Sequence, residues 1–204
     1  MALDATHIKF ALDIKDKYQV NDLSKYLSGT IYPDSRYISG INRELTHGEE
    51  FLKSKSNKNN FEKGWLVHLI CDHISHKIMF QELPDLLGGK QDTDWWIDLT
   101  AVKVVQDIKI LEKFDVNNYL PFLNYVESPN NESTHILKKH YRIIREVYKD
   151  GLSFEDVERL LLENKIKVEF AQKIINKAKE FLGDNKLTKK IDDIYRKMIA
   201  WFFV

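Results

Sequence analysis

From Asp4 onward apolar residues recur every three or four positions, and only 8 Gly and 4 Pro interrupt the 204-residue chain. That spacing predicts helix almost throughout and no strand. Asp4 or Thr6 can cap a first helix reaching about Lys17, and Asn21 a short second helix stopping near Gly29. The stretch "GTIYPDSRYISGIN" (residues 29–42) reads as an irregular loop, because Gly29, Pro33 and Gly40 oppose a regular helix. A third helix is expected from Arg43, fading into the polar linker "SKSNKNN". Asn60 then opens a long helix that closes before Pro84, and "DTDWWIDLTAVKVVQDIKILEKF" gives another whose acidic first turn suits the helix dipole. Beyond Asn131 the pattern is simpler: a helix from Asn131 or Ser133 to near Gly151, a capping-box start at "SFED", and helices over residues 168–182 and from 187 onward. The expectation is one all-α, multi-helix domain over residues 1–204, with the chemistry in 1–84 and a helical scaffold in 85–204.

Composition narrows the function. The chain is 43% hydrophobic, enough for one sizeable core. Lys and Arg number 31, as do Asp and Glu, so no global charge recruits nucleic acid or an anionic membrane, and an anionic substrate needs a local cation. The single cysteine, Cys71, excludes an intrachain disulfide and suits a reducing compartment. The start "MALDATHIKF" has neither a basic opening nor a long apolar run, and no apolar stretch approaches the roughly 18 residues of a membrane span. A cytoplasmic protein is therefore expected; nothing fixes an oligomeric state.

The conspicuous exception to the apolar pattern is "GWLVHLICDHISH", residues 64–76. On a helix His68, Asp72 and His76 stand four residues apart and line nearly one face, while His73 points about 140° away from His68. Imidazole and carboxylate are usual ligands of zinc and similar divalent ions. A His/Asp pair at this spacing also occurs on ordinary helices, so residues elsewhere must decide. His7 in the first helix, Asp34 after Pro33 and His47 in "RELTH" are of the same chemical type, although turn chemistry after proline also suits "YPDS". Arg36 and Arg43 flank the Asp34 segment and can pair with a phosphate. Trp95 and Trp96 can form a stacking surface or simply pack.

The order and context of "THIKFAL", "GTIYPDSR", "THGEEFL" and "GWLVHLICDHISH" resemble the zinc-dependent phospholipase C family, related in fold to the S1/P1-type single-strand nucleases. The resemblance covers residues 6–76, and its most specific parts are the G-x-x-x-P-D and G-x-x-x-H-x-x-x-D patterns. It implies an all-α fold and a zinc cluster that activates water to cleave phosphoesters. Asp34, His47, His68 and Asp72 would then hold one ion, with Asp72 bridging to a second bound by His7 and with His76 as a further ligand. In that family an N-terminal residue completes the second site, and a third site uses an H-x-x-x-E pair. Here His7 lies six positions in, and neither His135 nor His140 is followed by such a Glu. The implied function is hydrolysis of a small phosphoester with one or two divalent ions, zinc by ligand type. A non-catalytic helical binding protein with a structural metal site is the competing expectation.

Overall fold

The computed structural model describes residues 3–48, 58–89 and 92–204, and among these every regular element is helical. The helices are α1 (Asp4–Ile14), α2 (Leu23–Ile31), α3 (Arg36–Ser39), α4 (Arg43–His47), α5 (Asn60–Glu82), α6 (Pro84–Leu87), α7 (Thr93–Leu111), α8 (Thr134–Tyr148), α9 (Phe154–Glu163), α10 (Val168–Gly183) and α11 (Asn185–Phe202). The polar stretch in which the third helix is expected to fade lies largely outside the described residues. No helix is long and apolar enough to cross a membrane.

The bundle is organised around α5 and α7. Helix α5 packs along α2 on one side and α11 on another, while α7 packs on α10, α11 and α1. The α2/α5 contact is the tightest, and two glycines allow it. A Cβ on Gly29 would lie 2.0 Å from the carbonyl oxygen of Phe61, and one on Gly64 would lie 1.9 Å from that of Tyr26. Both distances are far inside van der Waals contact, so the two backbones touch where only hydrogen can stand. Gly29 is therefore a crossing point and not the end of α2, which corrects the expected loop. Helix α2 continues to Ile31, a 3₁₀ turn follows over Tyr32–Ser35, and α3 follows that. Pro33 is tolerated in the first turn of the 3₁₀ segment, where an N–H has no intrahelical partner to lose. Gly40, at φ 77°, ends α3 in the left-handed region.

The caps follow the chain locally in most places and depart from it in one that matters. Asn59 and Glu62 form a reciprocal box at the start of α5, and Ser153 and Asp156 form the one expected at α9. Asp22, and not Asn21, caps α2, while Asn21 bonds the side chain of Asn60. Helix α1 has no local cap at all. Its first amides are taken by Asp107 of α7, whose carboxylate accepts from Ala5 N at 3.0 Å, Thr6 N at 2.9 Å and the Thr6 hydroxyl, and also from the Tyr148 hydroxyl. A buried carboxylate from the second half of the chain thus fixes where α1 begins and with it the direction of His7. Trp95 donates its indole N–H to Leu87 O and Trp96 packs edge-on against Phe170, so both serve packing.

The glycine crossing yields a direct test. Gly64→Ala would force the α2/α5 backbones apart and is expected to cost about 3 kcal/mol or more, at the upper end of overpacking penalties, read as a lowered denaturant midpoint. A variant as stable as the wild type would mean that the helices do not meet here.

Candidate metal centre

Five side chains from four separate elements converge on the α2/α5 crossing. His68 lies one turn beyond Gly64 on α5 and Asp72 one turn further. His7 comes from α1, Asp34 from the 3₁₀ turn and His47 from the end of α4. Two overlapping groups offer ligand atoms within 4.8 Å of one another: His7, His68 and Asp72, and Asp34, His47 and His68. Asp72 faces both ways. Its Oδ1 is 3.3 Å from His7 Nε2, and its Oδ2 is 3.6 Å from His68 Nε2 and 3.7 Å from His47 Nε2. Asp34 Oδ1 is 3.6 Å from His47 Nε2. The three imidazoles are at most 2% exposed, whereas Asp34 and Asp72 are 11% and 12% exposed, so solvent reaches the cluster from the carboxylate side.

The surroundings fix which nitrogens face inward. His68 Nδ1 is 2.8 Å from Thr30 O, and a carbonyl only accepts, so Nδ1 carries the hydrogen and Nε2 presents its lone pair. Thr30 follows Gly29, so the glycine crossing itself delivers this carbonyl. His47 Nδ1 is 2.9 Å from the Thr46 hydroxyl, and where that hydroxyl donates to Arg43 O at 3.4 Å the ring nitrogen donates to it in turn and Nε2 turns a lone pair inward. Trp65 Nε1 donates to Thr46 O and ties α4 to α5. The two Nε2 atoms are then only 3.2 Å apart. In that tautomer two lone pairs meet, and they repel unless a cation stands beside them. His7 stacks on His68 at 3.8 Å between ring centroids, and both of its ring nitrogens are buried without a hydrogen-bond partner, as is Asp34 Oδ1. Leaving such atoms unmatched costs on the order of 1–3 kcal/mol each. The residues fit a divalent cation on these grounds: inward lone pairs, two nearby carboxylates and orphaned ligand-type atoms.

Electrostatics sort the members. Burial drives His68 well below the ordinary imidazole range, helped by the positive charge of His7. Burial also lowers His47 to about 3 against the pull of Asp72, with Arg36 and Arg43 adding to the effect. Both stay neutral, as nitrogen ligands must. Burial would lower His7 too, but Cys71 and Asp72 outweigh it and hold His7 well above its usual value. Burial and the charge of Asp72 raise Asp34 to about 6, while Asp72 itself lies well below the carboxylate range because positive charge that includes protonated His7 overrides its burial.

The remaining candidates lie elsewhere. His76, expected as a further ligand, is exposed one turn past Asp72, leans on Phe80 at 4.4 Å and belongs to neither group, because the face it shares with Asp72 has by then left the α2 crossing. His73 is exposed near Trp201. Arg36 lies over the Tyr37 ring at 4.0 Å, its Nε buried without a partner, and Arg43 is exposed; both are close enough to act on His47. His140 is buried against Ile31 O at 3.3 Å, away from the cluster. Buried charged groups that the sequence does not mark as such include Asp4, Lys103 and Asp107. A weak signal is present all the same, since "TAVKVVQDI" sets a Lys and an Asp inside an apolar run, and Asp4 precedes His7 by one turn. No protein-family model matches the chain, and neither does any curated protein or solved structure.

Asp4 gives a pH test. Burial, reinforced by the charges of Asp34 and Asp107, raises it from 3.8 to about 8. Between those values the folded chain holds a proton that the unfolded chain has lost, so this group's contribution to stability falls as pH rises. Asp4→Asn is therefore expected to gain on the wild type from pH 3.8 to about 8, by at most about 1.4 kcal/mol per pH unit, in denaturant titrations of chelator-treated protein. A stability difference that does not change with pH would refute this.

Proposed function

We propose that the chain is a metal-dependent hydrolase of small phosphoesters, holding one or two divalent ions, zinc by ligand type. The observation that carries this reading is the two-sided carboxylate of Asp72, with one oxygen toward His7 and the other toward His47 and His68. A single carboxylate placed between two sets of imidazoles is what a pair of metal ions sharing a bridging ligand requires. Asp34, His47, His68 and Asp72 would hold the first ion. His7, giving up its proton to the solvent on binding, and the second Asp72 oxygen would hold the other, and two protein ligands leave its remaining positions open to water and substrate. Bound there, a divalent ion lowers the pKa of water towards 7 and polarises a phosphoryl oxygen.

The protein's own part is to prepare that environment. Thr30 O and the Thr46 hydroxyl orient His68 and His47 so that their Nε2 atoms converge. The walls exclude bulk water from the imidazoles and leave the carboxylate edge open. Arg36 and Arg43, whose charges act on His47, would supply cations for an incoming phosphate. The resemblance of residues 6–76 to the zinc-dependent phospholipase C family supports the same assignment. A second reading has its own support: Asp34, His47, His68 and Asp72 by themselves make a four-ligand set, the composition of a purely structural site. In that case the metal only braces the fold.

The two readings separate experimentally. Protein purified without chelator is expected to carry one to two equivalents of zinc by elemental analysis and to hydrolyse aryl phosphoesters, with loss on chelation and recovery on adding metal. Asp72→Asn should reduce turnover by about a hundredfold or more, the scale of losing a metal's charge stabilisation. Bound metal without turnover would leave the brace; the absence of metal would sink both readings.

A further inference from the structure

Helix α8 sets His135, Lys138, Lys139, Arg142 and Arg145 three or four residues apart, so that they share one face. That face and the segment carrying Asn124 and Val126 line a cavity of about 330 Å³, and no carboxylate lines it. In a chain whose charges balance at 31 and 31, four cationic side chains around one recess are a local surplus. The floor is held in place. Tyr141, 1% exposed, donates its hydroxyl to Ser28 O at 3.2 Å, and Asn124 is fixed by Ser24 Oγ and Pro121 O. Arg145 donates from Nη1 to Leu123 O, which anchors the guanidinium and leaves its other N–H groups for the cavity. The neighbouring carboxylates answer only part of the charge. Lys139 pairs with Glu163 at 2.8 Å, while Glu146 is 3.8 Å from Arg142 Nε and turns its other oxygen to Arg159. Among the described residues Lys138 and Arg145 meet no carboxylate.

Like charges lining one recess repel one another and draw in an anion. The size of the recess selects which kind. Its volume is at the small end of ligand sites, and Lys138 to Arg145 span only about 10 Å of helix axis. An anion that answers three cations over that length must carry its charge densely. Two neighbouring phosphate groups do so, and their oxygen pairs match the forks of Arg142 and Arg145, with Lys138 as a point charge. An acidic peptide spreads single charges along an extended chain and cannot gather them in one recess. Single-stranded nucleic acid requires aromatic faces for its bases, and the aromatic side chain that lines this cavity, Tyr141, is buried. We propose that the α8 cavity binds a small ligand bearing two neighbouring phosphate groups, held by Lys138, Arg142 and Arg145. The cavity shares no residue with the histidine–aspartate cluster and does not depend on the metal-dependent reading above.

The test compares the full chain with the double variant Lys138→Gln, Arg142→Gln, both at exposed positions, with the fold checked by circular dichroism and melting temperature. Inorganic pyrophosphate titrated calorimetrically is expected to bind the wild type saturably and the double variant about a hundredfold or more weakly, the scale of two charge-assisted hydrogen bonds. The histidine–aspartate cluster is common to both proteins, so the difference reads the α8 cavity alone. Lys149→Gln, at the end of α8 and outside the cavity, should bind like the wild type. Orthophosphate should bind the wild type about tenfold or more weakly than pyrophosphate. A soluble inositol bisphosphate, and vesicles displaying the same headgroup, tell a free ligand from a lipid one; in either case the double variant must lose the binding. If that variant does not fold, Lys138→Gln alone serves, with a loss of about tenfold. The proposal is overturned by the absence of saturable pyrophosphate binding up to about 1 mM, or by equal affinity in the folded double variant. Citrate binding as tightly as pyrophosphate, or a single-stranded oligonucleotide displacing it, overturns the diphosphate assignment as well.

Discussion

Everything at the histidine–aspartate cluster depends on two backbones touching. Where α2 crosses α5, Gly29 and Gly64 bring the chains so close that a methyl group at either position would sit inside the other helix's carbonyl. The closeness sets the register of the two helices, and register is what a ligand shell requires. With α5 pinned at Gly64, His68 is one turn on and meets the carbonyl of Thr30, the residue after the other glycine. Continuing α2 past Gly29 also swings the Tyr32–Ser35 turn, and so Asp34, into the same space.

A second constraint works from the opposite side. Helix α1 has no cap of its own, and Asp107 supplies one from a hundred residues away. The interaction belongs to stability and to function at once. It satisfies amides that would otherwise be buried bare, and it aims His7 across the cavity at Asp72. The C-terminal half, which reads as scaffold, thereby contributes to the site through a single carboxylate.

The cluster itself is electrostatically unresolved without a cation. Two imidazole Nε2 atoms stand 3.2 Å apart, a third imidazole is buried with no hydrogen-bond partner, and two carboxylates compete so strongly that Asp34 rises to about 6 while Asp72 is driven down. Folding tolerates such an arrangement when ligand binding repays it, because metal affinity and fold stability then draw on the same free energy. The dry imidazole side and the wetter carboxylate side give the cluster a direction.

The helical class, the boundaries set by local capping such as Asn59–Glu62 and Ser153–Asp156, and the identities of His7, Asp34, His47, His68 and Asp72 were all legible in the chain. Periodicity and side-chain chemistry are properties of short stretches, and a ligand-type residue in an apolar helix is conspicuous wherever it occurs. The role of Gly29 was misread, because a glycine that ends a helix and one that lets another helix touch it look the same in sequence. His76 lies apart from the cluster for a related reason: a helical face continues indefinitely in sequence, but the partner helix lies against only part of it. The parts played by Asp4 and Asp107 were not legible, since their meaning depends on which distant segment they oppose. Sequence by itself determined what each segment is and which atoms it offers; tertiary structure decided which of those atoms share a cavity, because that is set by the closest approach of two backbones and not by any property of either alone.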